Sequence, residues 1–160
     1  DQAHREGERA AKEAERVQAI LDAQRADAEA KQAAEAALIA TANQVTFRIG
    51  SGGSAEQRGA EFEVTTVVLK VTNETNERVL VKACELMRPL RAISAVDGPV
   101  SVGARSTREI TVFIPPTLIS HDEFYAREPI DRFVARVTYT VAGRTWTRGS
   151  DDTSAREMQP

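Results

Sequence analysis

Glu61-Phe-Glu-Val-Thr-Thr-Val-Val-Leu-Lys-Val-Thr72, followed by Asn73-Glu-Thr-Asn-Glu77 and then Val79-Leu-Val-Lys-Ala-Cys-Glu-Leu86, is the stretch on which the fold turns. Two runs dense in β-branched residues flank a polar break, and Asn73 and Asn76 favour turn conformations by bonding their own backbone. The pattern predicts a β-hairpin. Phe62 and Val64 keep one alternation while Val67, Leu69 and Val71 keep the opposite one, so the first strand has to change face near Thr65–Thr66, through a bulge or a switch between sheets. On the return, Val79, Val81 and Ala83 alternate with Leu80, Lys82 and Cys84. Pro89 has no N–H for a central ladder, which ends the strand or moves it to an edge.

Downstream the same chemistry repeats. Residues 107–114 read as a strand with Ile110, Val112 and Ile114 on one face, stopped by Pro115-Pro116. Residues 132–141 read as another, with Ala135, Val137, Tyr139 and Val141 on one face, and Ala142-Gly143 turns the chain into a last strand over 144–148. Upstream, Val45-Thr-Phe-Arg-Ile49 is a short first strand, and the Gly/Ser-rich run 50–59 is a flexible loop by composition. That loop lacks the spacing of a phosphate-binding loop, and no helix follows it. These strands predict an antiparallel all-β sandwich over 44–148, with a polar, disordered tail over 149–160.

Residues 1–43 are different material: Ala, Glu, Arg, Lys, Gln and Asp without proline, all helix formers apart from Gly7. Pairs such as Asp27 with Lys31 add about 0.2–0.5 kcal/mol each. A heptad reading gives an Ala-rich seam interrupted by polar residues and substantial only around Val17, Ile20 and Leu21. Two readings stand: a stalk that oligomerises through those three residues as a weak coiled coil, and a solvated spacer. The fold class is thus α+β, one long N-terminal helix and then a β-sandwich.

The 160 residues carry a formal charge of −3 and a pI near 5.5, with arginines and lysines scattered among carboxylates. That balance excludes a general nucleic-acid binder, which carries a basic face. The single cysteine, Cys84, forbids an intramolecular disulfide, lies in a strand pattern and reads as a buried small hydrophobe. No run approaches a membrane span and no signal peptide is visible. The chain opens in mid-helix without Met, and the expectation is a fragment of a longer protein.

Chemistry could concentrate in two places. The segment 115–131 reads as a long loop holding Ser120, His121, Asp122, Glu123 and Tyr125; three adjacent triad residue types do not make a triad, and one histidine beside two carboxylates is too few ligands for a zinc shell. No catalytic residue, metal site or cofactor is expected. The other place is Arg144, Trp146 and Arg148, which share a strand face at period two. They suit an interaction patch, or a core-closing tryptophan whose arginine neighbours reach outward. His121 and Tyr125 are further interaction candidates.

Val71-Thr-Asn-Glu-Thr-Asn76, the Pro115-Pro116 pair after a strand and the closing Gly143-Arg-Thr-Trp-Thr-Arg148 together resemble a group of uncharacterised actinobacterial proteins. In that group a membrane span precedes a charged helical stalk and a small immunoglobulin-like domain. The resemblance covers the β region and implies membrane anchoring through a segment absent from this sequence, with this part in the cytoplasm. It transfers no activity. The expected function is non-enzymatic: a protein-interaction module displayed on a helix, the alternative being an assembly protein that oligomerises through that helix.

Overall fold

The computed structural model describes residues 1–50, 55–88, 92–94, 98–122 and 134–159. The chain divides into two units, Asp1–Leu38 and Ile39–Pro160. The first is purely helical: α1 runs Gln2–Asn43, so its last turn already belongs to the second unit. Within the first unit the surface is solvated, with Lys31 and Asp27 paired at 3.1 Å and Val17, Ile20 and Leu21 each about half exposed, at 47%, 49% and 51%.

Among the described residues the second unit holds ten strands: β1 (Val45–Gly50), β2 (Ala55–Arg58), β3 (Glu61–Asn73), β4 (Val79–Arg88), β5 (Ala92–Ser94), β6 (Val100–Val102), β7 (Ser106–Ser120), β8 (Val134–Val141), β9 (Arg144–Gly149) and β10 (Arg156–Glu157). They form two antiparallel sheets. In the first, β3 is central, with β7 along one side and β1 and β2 end to end along the other. The second runs β10-β9-β8-β4, and β6 and β5 share the far edge of β4 in the same end-to-end manner. Alternate residues of the two sheets meet in a sandwich core: Ile49, Val67, Leu69, Val71 and Val112 from the first, Val79, Val81, Leu86, Val137 and Trp146 from the second. Phe47 and Tyr139 join the layers edge to face, ring centroids 5.1 Å apart.

The expected hairpin is not there. β3 and β4 lie in different sheets, and residues 74–78 form a corner between them. An inward alternation is the same whether two strands pair in one sheet or face each other across a core, so the residue pattern could not separate the two. The corner is fixed by Asn73, 1% exposed. Its Oδ1 accepts from the Thr75 backbone N–H (3.0 Å) and hydroxyl (2.7 Å), while its Nδ2 donates to the carbonyls of Glu77 (2.8 Å), Val102 (3.3 Å) and Gly103 (2.9 Å). The Glu77 carboxylate then accepts from the Ala142 N–H at 3.0 Å, tying the β8–β9 turn to the same corner. That turn holds Ala142 and Gly143 at φ of 53° and 71°, the mirror-image geometry favoured by two-residue hairpins.

The change of face near Thr65–Thr66 is present as a register shift between Val64 and Thr66, with Thr66 and Val67 both buried. Opposite it, β7 carries Pro115 and Pro116. The prolines do not stop the strand, as their type predicts, because the pairing with β3 is already broken there. Val64 faces Thr117 and Thr66 faces Phe113, so Ile114, Pro115 and Pro116 span the irregularity, where a missing N–H costs no ladder bond. Two further segments expected to be irregular are ordered. Residues 55–58 pair with 61–64 through a turn with Gly59 at φ 66°. Residues 150–159 fold back on the sheet, with β10 on β9 and Ala155 buried. A polar composition predicts a loose end when apolar burial is the only anchor considered. Here the anchors are backbone bonds: Ala155 N–H to Asn43 Oδ1 at 2.7 Å and Met158 N–H to the Thr145 carbonyl at 2.9 Å.

Candidate interaction surfaces

Trp146 is fully buried, and its indole N–H donates to the Val141 carbonyl at 3.3 Å. Its arginine neighbours do not reach outward. Arg144 meets Glu157 of β10 at 3.0 Å. Arg148 turns inward and places one guanidinium among four carbonyls: Asn43 (2.8 Å) and Val45 (3.0 Å) through Nη1, Asp152 (3.3 Å) through Nε, and Thr153 (3.2 Å) through Nη2. A cation at the last carbonyls of a helix is favoured both by hydrogen bonding and by the helix dipole. The Tyr139 hydroxyl, buried beside it, donates to the Ala42 carbonyl at 2.9 Å. The Arg144–Trp146–Arg148 face is therefore occupied within the unit and holds the end of α1 and the tail together.

His121 and Asp122 are helical and directly follow β7. The N–H of His121 donates to the Ala60 carbonyl at 3.2 Å and its ring lies against Phe62, centroids 5.6 Å apart. Asp122 beside it is exposed. Tyr125 and Glu123 lie outside the described residues. Among the described residues no three His, Cys, Asp or Glu side chains converge as metal ligands.

The surface that residue patterns missed is the outer face of β7. Phe113 is 70% exposed and Leu118 57%, with Pro115 and Pro116 exposed between them. Across the pairing, Phe113 faces Thr66 and Leu118 faces Glu63. Alternation alone carried the signal: Ile110, Val112 and Ile114 take the core face, so Phe113 has to take the other.

Two buried groups make stability sensitive to alkali. Burial pushes the Cys84 thiol from 9.0 up to about 11. It also holds the Tyr139 hydroxyl well above its ordinary range, with the Arg148 charge opposing in part. Both stay protonated in the folded unit and ionise on unfolding, so the folded state holds more protons above about pH 9 and stability falls with rising pH there. Below that pH the contribution is fully present. Urea midpoints are expected to decline from about pH 9 upward; a midpoint flat to about pH 11 would remove both groups from the account.

No protein-family model matches the chain, and no curated protein does. Among solved structures it is similar to a protein from Archaeoglobus fulgidus, at 16% identity and a TM-score of 0.26, over 71% of this chain and 91% of that one. A likeness of that size bears on neither fold detail nor function.

Proposed function

We propose that this chain is a non-enzymatic protein-interaction module, an immunoglobulin-like sandwich carried on a charged helix. The order β1-β3-β7 in one sheet and β9-β8-β4 in the other corresponds to the A-B-E and G-F-C orders of that fold, and the β3–β4 crossing corresponds to its B–C connection. The disulfide and third-strand tryptophan of antibody domains have no counterpart here; the one tryptophan is on β9.

The observation that carries the reading is the strip Phe113-Pro115-Pro116-Leu118. Large apolar side chains in contiguous exposure mark interaction sites on protein surfaces, and aromatic residues are frequent anchors of interfaces. A photo-crosslinking residue placed at 113, and in parallel at exposed Arg78, tests it in extract of the source cells. The module reading expects a discrete crosslinked protein from position 113 alone; identical products from both positions would sink it.

Val17, Ile20 and Leu21 favour a second reading, in which the helix oligomerises the chain. Sedimentation of the whole chain beside Val17→Ala/Leu21→Ala separates the two: an oligomer that dissociates in the variant supports assembly, and a monomer in both supports a spacer. Membrane attachment of a bacterial, cytoplasm-facing protein rests on the sequence resemblance. Among the described residues no helix is long and apolar enough to cross a bilayer.

A further inference from the structure

We infer that the outer face of the second sheet carries a groove for an extended acidic peptide segment of a partner protein, recognised by Arg136 and Arg156. In β8 the buried Val137 and Tyr139 alternate with Arg136 and Thr138, which therefore point away from the core. Arg136 stands opposite Glu85 on one side and Gly149 on the other, and Arg156 stands opposite Thr147. Gly149 opens the floor. A side chain there would meet the Asp151 and Asp152 carboxylates at 2.9 Å, so glycine lets residues 150–152 close down and leaves a hollow beside Arg136. The result is two adjoining hollows of about 500 and 340 Å³ that share Arg136 and Asp152, one reaching Met158 and the other Met87.

The charges decide the occupant. Three carboxyl-bearing residues, Glu85, Asp151 and Asp152, line the groove with two arginines, yet the two classes are not equally available. Asp152 accepts the Gly149 N–H at 2.8 Å, and Glu85 and Asp151 are engaged as well. Glu157, next to Arg156, is held by Arg144. Among the described residues Arg136 and Arg156 have neither an ion pair nor a side-chain hydrogen bond, although both are exposed and line the larger hollow with the hydroxyls of Thr138 and Thr147. Unpaired guanidiniums take carboxylates as bidentate partners. The methionines at either end supply adaptable apolar contact, which a small free anion would leave unused and an extended peptide would not. This assignment concerns the opposite sheet from the β7 strip, so either can fail without the other.

The test uses the whole chain and a fluorescein-labelled hexapeptide of alternating glutamate and methionine, followed by anisotropy at low and at physiological salt. Saturable binding is expected, weakened about tenfold or more by Arg136→Gln and by Arg156→Gln and unchanged by Arg78→Gln. Both arginines are exposed and, among the described residues, unpartnered, so the variants' melts are expected to match the parent and exclude misfolding as the cause. Absence of binding, equal binding by all variants, or equal displacement by succinate and by the unlabelled hexapeptide would overturn the assignment. So would a single-stranded oligonucleotide that binds the same two arginines more tightly than the peptide.

Discussion

Trp146→Ala is expected to lower the unfolding free energy of the β unit by about 4 kcal/mol, and its melting temperature by roughly 15 °C. The indole is fully buried, and its removal opens a cavity beneath the β8–β9 turn while leaving the Val141 carbonyl without its donor. Two costs therefore add: lost transfer and packing on one side, an unpaired buried acceptor on the other. Trp146→Phe keeps much of the volume and loses the N–H, and about half the effect is expected. The chain has no second tryptophan, so circular dichroism rather than fluorescence has to follow the alanine variant. A melt displaced by only a degree or two would mean the core closes elsewhere.

Asn73→Ala is expected to cost about 3 kcal/mol, although the side chain is small. The carbonyls of Val102 and Gly103 and the N–H of Thr75 lose this partner together, the Glu77 carbonyl keeps the Thr75 hydroxyl, and the corner between the sheets loses what shapes it. Asn73→Asp gives the sharper reading. It keeps an acceptor for Thr75 but sets a carboxylate against the carbonyls of Glu77, Val102 and Gly103, so at neutral pH the loss is expected to equal or exceed that of alanine. Protonation restores one O–H donor, which raises the folded-state pKa of the new carboxyl above its ordinary value near 3.9. The group binds its proton more tightly folded than unfolded, so relative stability improves as pH falls through that raised value. Urea midpoints of parent and variant at neutral pH and near pH 4 check this. A gap that does not narrow in acid would mean that Asn73 acts through its shape alone.

These two sites also show where residue patterns carry structural information and where they stop. The face change at Thr65–Thr66 was legible because a period-two repeat cannot shift phase without an extra residue. Trp146 closing the core was legible from size and position. The corner was not, since a paired hairpin and a pair of strands facing across a core place Val67, Leu69, Val79 and Val81 identically; only the long-range bonds of Asn73 to residues 102 and 103 distinguish them. Pro115-Pro116 stops a strand by type and is tolerated by context. Arg148 reads as a surface cation, yet it serves carbonyls from two separate segments, residues 43–45 and 152–153, and no local spacing encodes the first of them. The groove was equally hidden: Gly149 matters because it faces Arg136, a pairing set by register rather than by sequence distance.

The bond between Asn43 and Ala155 has a topological consequence. Where α1 hands over to β1, residues 153–155 of the returning tail are clasped just before they enter β10, by Asn43 Oδ1 and the Arg148 guanidinium together. The entry strand and the returning tail of the β unit thus share one clasp. Sections clasped this way fray as one: releasing Arg148 or Asn43 loosens the start of β1 and the tail at once.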